Sequence, residues 1–192
     1  MGSDKYFDLV PGGTGSSRVG GCSPDALVTS GQARPGSRFF VCLAASDFPA
    51  LAGQDVSIVI DDGFLPSGEN TRYPDIGVQC YLHAPSAESA DDSTSLGSIA
   101  RGSLVPASGG GDIDAAWFVK LGGAPRLIQE EDYYARALVR DGYEFLFQVD
   151  ENGFPDGFVL GDYPLGYGAL YVYGTRGNGG EVVEVEAGFT QF

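Results

Sequence analysis

One histidine, three cysteines and twenty-six acidic side chains are the groups from which this chain could build a reaction. Any Ser-His or Cys-His nucleophilic centre has to use His83. His83 follows a strand candidate, precedes Ala84-Pro85 and has no Gly-x-Ser-x-Gly elbow beside it, so it reads as a bystander at the start of a polar loop. Cys22, Cys42 and Cys80 are odd in number, widely spaced and without a Cys-x-x-Cys pair. That pattern suits buried thiols in a reducing compartment, not a disulfide framework or a zinc site. Gly12 to Gly21 is rich enough in glycine to cradle phosphate, but it lacks the Gly-Lys-Ser/Thr ending and the dinucleotide spacing, and it reads as a loop. The oxygens of Asp150-Glu151-Asn152-Gly153-Phe154-Pro155-Asp156 suit calcium, yet the alternating ligands and distant Glu of an EF-hand are missing and Asn-Gly signals a turn. Carboxylate pairs arise by chance among so many acids. The residues therefore name no catalytic group, no metal site and no cofactor.

Charge gives a clearer expectation. The formal net charge is −15, and only Lys5 and Lys120 are lysines. Such a chain repels nucleic-acid phosphates and anionic lipid, favours basic partners, and gains solubility. We expect a non-enzymatic, cytoplasmic protein that docks a basic partner through an acidic face containing Asp150, Glu151, Asp156 and Asp162. A toxin-neutralising immunity protein is its most concrete form, and an acidic mimic of nucleic acid a weaker one. The alternative is an enzyme or small-ligand protein whose site lies in a cleft between two halves, lined by Gln129, Gln148, Tyr171 and Tyr173. Even spacing along Tyr163, Tyr167, Tyr171 and Tyr173, which puts residues of one strand on one face, favours packing over a ligand wall. No apolar run approaches the roughly 20 residues of a membrane span, and Met1 to Val10 lacks the pattern of a signal peptide.

The elements that must position these groups are mostly short, aromatic or β-branched and bounded by Gly or Pro, hence strands. The expected class is α+β: a β-rich single domain over 1–192, built from two internally duplicated units with few helices. The units span 18–83 and 113–174, joined by a flexible segment, 84–112, holding a short strand near Ser103-Leu104-Val105. Residues 1–17 read as a polar stretch, and alternation in 181–192 predicts a closing strand. A helix is predicted over Gln129–Arg140, with Glu130 and Glu131 at its start and Arg136 and Arg140 at its end. A shorter helical turn is expected between Asp47 and Gly53.

The duplication rests on a motif that occurs twice. Arg18-Val19-Gly20-Gly21-Cys22-Ser23-Pro24 returns as Lys120-Leu121-Gly122-Gly123-Ala124-Pro125. Phe39-Phe40-Val41-Cys42-Leu43 matches Phe145-Leu146-Phe147-Gln148-Val149, and Phe48-Pro49 then meets Phe154-Pro155. Val78–Leu82 is matched with Ala169–Tyr173, which leaves Val56–Ile60 as an extra strand. Each Gly-Gly reads as a corner turning the chain out of a strand, with Arg18 and Lys120 in equivalent places, each paired with a carboxylate of the other unit. On these residues, together with Ile128-Gln129 and Gly168-Ala169-Leu170-Tyr171-Val172-Tyr173, the chain resembles the YwqG-like family, a bacterial family of unknown function. Cys42 stands where the family pattern has Gln. The resemblance implies a duplicated α+β fold and brings no activity or catalytic residues.

Overall fold

Segments dominated by Val, Ile, Phe and Tyr and closed off by Gly or Pro become ten strands in a computed structural model, which describes residues 4–107 and 116–192. They are β1 (Lys5–Pro11), β2 (Arg18–Val19), β3 (Arg38–Leu43), β4 (Asp55–Ile60), β5 (Val78–His83), β6 (Gly102–Pro106), β7 (Val119–Leu121), β8 (Glu144–Asp150), β9 (Ala169–Arg176) and β10 (Val182–Gln191). All pair antiparallel in one sheet, ordered β10-β9-β8-β7-β1-β6-β2-β3-β4-β5. The sheet nearly closes on itself. Edge strand β10 packs against edge strand β5, and the β4–β5 loop bonds to it: Tyr73 N–H donates to Gly188 C=O (2.6 Å) and Thr190 N–H to Thr71 C=O (2.9 Å). Curling hides most of both edges from pairing with another chain.

The order is symmetric about the central β1–β6 pair, and the registers are symmetric too. Phe39 faces Val59, a register shift follows, and Cys42 faces Ser57. Phe145 faces Tyr173, a shift follows at the same place, and Gln148 faces Tyr171. This corrects the expected alignment: β4 stands where β9 stands, β5 where β10 stands, and Val56–Ile60 is not extra. Strand β1 lies inside the supposed polar stretch. Strand β6 pairs with β1 and β2 at the centre of the sheet, so residues 84–107 are part of the architecture and not a flexible joint. Residues 108–112 of that segment, with Gly109-Gly110-Gly111, lie outside the described residues.

One hydrophobic cluster fills the inside of the curled sheet, with Phe40, Ile58, Phe118, Phe147, Leu170 and Phe158 among its buried members. Strands β4 and β9 are also buried on their outer faces, which explains their continuous apolar runs. Over the first half lies α1 (Asp25–Ser30), which inserts Leu27 and ends at left-handed Gly31. Over the second lie a 3-10 turn (Asp132–Ala135) and α2 (Arg136–Arg140), where Leu138 covers Tyr171, Tyr173 and Phe189. The predicted helix from Gln129 is therefore shorter, because the backbone at Glu131 is extended (φ −115°, ψ 110°) and the helical turn starts only after it. The turn expected at 47–53 is present as a 3-10 turn, Pro49–Leu51.

Candidate functional site

The doubled corners put two cations inside the protein. Arg18 and Lys120 are 5 % and 1 % exposed. Each reaches forward to the carbonyl of the first glycine of its own pair: Arg18 to Gly20 (2.9 Å), Lys120 to Gly122 (2.6 Å). Each lies over a matching ring, Phe39 or Phe145. Each meets one carboxylate, Glu88 at 3.7 Å or Asp4 at 3.1 Å. These carboxylates come from the segments outside the two expected units, not from the opposite unit. Gly20 and Gly122 donate their N–H groups to Phe40 and Leu146, two more matching positions. Both corners are held together by their own backbone and buried cations.

Beside the first corner is a cavity of about 410 Å³, lined by Arg18, Cys42, Asp55, Glu88, Arg101 and the Thr14–Ser16 loop among others. The glycine-rich loop is thus its wall, tied down by Ser103: Gly15 N–H donates to Oγ (3.1 Å), which donates to Gly12 C=O (3.1 Å). Glu88 binds Arg101 Nε (2.9 Å) and the Cys22 N–H (2.8 Å). Burial works against its charge, but those bonds and the Arg18 charge hold its pKa below the usual range. Asp55 is buried and accepts the Ala45 N–H at Oδ1 (3.0 Å).

A buried row leads from the cavity floor to the single histidine. Cys42 on β3 faces Ser57 on β4, whose Oγ lies 2.8 Å from His83 Nε2. His83 Nδ1 lies 2.9 Å from the Ala84 carbonyl. A carbonyl only accepts, so Nδ1 carries the proton and Nε2 accepts from Ser57. His83 is therefore a buried strand residue with a fixed tautomer, not a bystander in a polar loop. The row resembles a nucleophile relay, but Ser57 has no exposed surface and burial pushes the Cys42 thiol up to about 12. A thiol so protonated supplies no thiolate near neutrality. Only its cross-strand register, invisible without the fold, joins these three residues.

In the other half the matching row is filled. Gln148, fully buried, accepts the Arg126 N–H at Oε1 (3.0 Å) and donates from Nε2 to the Arg126 carbonyl (3.0 Å). Tyr171 donates to the same carbonyl (2.9 Å) and accepts the Ile128 N–H (3.1 Å). Tyr173 packs edge-on against Phe145, and burial raises its hydroxyl to about 12. Gln129 is exposed and donates to Phe192 C=O (3.2 Å). Of these four residues only Gln129 lines a cavity between the halves, a small one of about 180 Å³ that it shares with Pro66, Thr71 and Arg72 of the β4–β5 loop and with Tyr134 and Gln191. Gln148 and Tyr171 clamp the backbone of 126–128 onto the sheet, Tyr173 is core, and Gln129 lies at the rim. A cavity of about 690 Å³ does lie near the β1–β6 seam, lined by Asp4–Phe7, Ser46, Asp47, Pro106 and Ala107, without converging catalytic groups among these residues.

The expected acidic face also separates into parts. Glu151 is 0 % exposed and accepts three backbone N–H groups, from Leu165 (2.8 Å), Tyr167 (2.8 Å) and Gly168 (3.1 Å). Burial pushes it up to about 7 against those three bonds. It cannot touch a partner; it holds the 163–168 loop from beneath. Asp150 is half-buried, raised by burial, and caps a 3-10 turn through the Asn152 N–H (3.0 Å). Asp156 and Asp162 are exposed, and no salt bridge among the described residues involves either. Tyr163 and Tyr167 stand beside them with rings 5.0 Å apart, Tyr167 being 55 % exposed. The sequence reading missed these two tyrosines because it grouped them with buried Tyr171 and Tyr173.

Among the described residues, no group of three His, Cys, Asp or Glu side chains is placed to hold a metal, and no helix is long and apolar enough to cross a membrane. Comparison of the chain with family profiles, curated proteins and solved structures found no match.

Proposed function

We propose that this is a binding protein that docks a basic partner protein on the loop from Asp156 to Tyr167. The observation that carries the reading is the pairing there of exposed acids with exposed aromatic faces, Asp156 and Asp162 with Tyr163 and Tyr167. Carboxylate and ring together suit Lys and Arg: one neutralises the charge, the other takes the flat or alkyl part. The loop is held in shape beforehand by Glu151 and by buried Leu165, so little ordering is left to be done on binding. Elsewhere Arg34, Arg38, Arg101, Arg140 and Arg176 are paired with carboxylates, which leaves the surplus charge negative. That field speeds encounter with a basic surface.

A toxin-neutralising immunity protein in the cytoplasm is the most concrete form of this reading. The symmetric strand order and matched corners support an internal duplication, and with the doubled motif they support placing the chain among YwqG-like proteins. The test is purification from the native host of the wild type and of Asp156→Lys with Asp162→Lys. We expect one stoichiometric basic protein, released by salt and lost in the double variant. Recovery of no basic protein, or retention unchanged by the two reversals, overturns the reading.

A further inference from the structure

The cavity beside Arg18 is a second feature, remote in chemistry from the acidic loop. We infer that it takes a dipeptide-sized zwitterion, with the ligand ammonium on Asp55 and its carboxylate on the Arg101 guanidinium.

Asp55 supplies the first half of the argument. It is 6 % exposed and lies in the cavity wall. Oδ1 takes the Ala45 N–H, while Oδ2 has no protein donor among the described residues. No basic side chain there reaches it within salt-bridge distance. Oδ2 therefore opens on the cavity, and an ammonium group is the cation that a carboxylate placed in this way takes. Arg101 supplies the second half. It shares Glu88 with Arg18, so two guanidiniums face one carboxylate. Its Nε is held by Glu88 and one terminal nitrogen by the Gly13 carbonyl, which leaves the other terminal nitrogen for an incoming anion.

Size follows from the sheet. Arg101 precedes β6 and Asp55 opens β4, three strand spacings or roughly 14 Å across the sheet and about four residues apart along it, and both side chains line the one cavity. A ligand that reaches both therefore needs its two charges farther apart than a single amino acid holds them, as a dipeptide does. Pro24, Ala44, Pro85 and Ala87 supply small apolar walls.

The other half of the molecule shows what such a place accepts. There the chain runs on through residues 126–131 between Pro125 and its 3-10 turn, and the backbone of Arg126 and Ile128 lies on Gln148 and Tyr171. In the first half Pro24 leads directly into α1, and the facing residues are the smaller Cys42 and Ser57. Peptide backbone fills the matching groove in one half; in the first half Ser57 is closed off against His83, and Cys42 is the member of the row that lines the cavity.

The test is calorimetry with L-Ala-L-Ala, N-acetyl-Ala-Ala and Ala-Ala amide against the purified chain, with thermal melts alongside. Ala-Ala should bind and raise the melting temperature, and each capped form should bind at least about tenfold more weakly. Asp55→Asn should abolish the preference for the free ammonium, and Arg101→Gln the preference for the free carboxylate. Ala87→Trp blocks the rim without entering the core and should abolish binding at an unchanged melting temperature. No binding of Ala-Ala at millimolar concentration, equal binding of the capped forms, or binding that survives Ala87→Trp overturns the proposal. Should Asp55→Asn not fold, the capped ligands and Ala87→Trp still decide it.

Discussion

At the second glycine of each corner, backbone and charge make the same demand. Gly21 and Gly123 have φ of +78° and +64°, and a Cβ there would lie 2.2 Å from Glu88 Oε1 and 1.9 Å from Asp4 Oδ1. Gly21→Ala and Gly123→Ala should therefore each cost about 2 kcal/mol or more, from left-handed strain together with displacement of the carboxylate that meets a buried cation. Urea unfolding measures it, and a cost below that of an ordinary surface change at either position would remove the corner from the architecture. Glu151 makes a different demand. Burial pushes its carboxyl up to about 7 in the folded protein from 4.5 in the unfolded chain, so the folded form holds the proton more tightly. Its contribution is complete below about 4.5 and is lost as pH rises through 7, a loss of order 3 kcal/mol. Half-buried Asp150 and Glu186 are raised in the same direction, while Glu88 is lowered and acts at more acid pH. Urea midpoints should fall between pH 5 and pH 8, and Glu151→Gln should flatten that fall. A midpoint constant over this range in the wild type means that the three N–H groups keep Glu151 ionised throughout.

Among the elements, the segment 125–129 depends most on side chains beneath it. Tyr171→Phe removes the hydroxyl that donates to the Arg126 carbonyl and accepts from the Ile128 N–H. The expected cost is about 1–2 kcal/mol, with faster amide exchange at Ile128 and Gln129 and none at β3 or β4. Exchange unchanged at Ile128 would show that Gln148 and Gln191 suffice. The same segment explains which features were legible in the sequence. Apolar runs with turn residues at their ends located β3, β4, β5, β8, β9 and β10, since local β-propensity and burial agree there. Strand β1 was missed because Lys5 and Asp8 flank its two core residues, Phe7 and Leu9, and α1 because six residues carry only one buried apolar side chain, Leu27. The corner cations were visible as a repeat, but their carboxylates, Asp4 and Glu88, are set by pairings far apart in the chain. Gln148 and Tyr171 looked like ligand groups because polar side chains within apolar strands are rare. Only the fold shows that the chain's own backbone satisfies them.

For the molecule as a whole, the acidic surplus should oppose folding and favour docking, and salt separates the two. Like charges crowded on a small folded body repel, and the repulsion is screened over about 10 Å at 0.1 M ionic strength. The ion pairs at the surface, such as Arg34–Asp61 and Arg140–Asp141, are exposed on at least one side and contribute little that salt could remove. In Arg18–Glu88 and Lys120–Asp4 the cation is buried and screened less than a surface charge, although the carboxylate reaches solvent. The melting temperature should therefore rise as NaCl is raised from about 10 mM to about 1 M. Reversal of Asp156 and Asp162 to Lys should raise it at the low-salt end and shrink the gain, because both acids are exposed and neither is in a salt bridge among the described residues. Association with a basic partner should respond with the opposite sign, slowing as the same salt screens attraction. A melting temperature that falls with salt would mean that attraction between paired charges outweighs repulsion among the surplus acids. The −15 would then be no store of unsatisfied charge for a partner to neutralise.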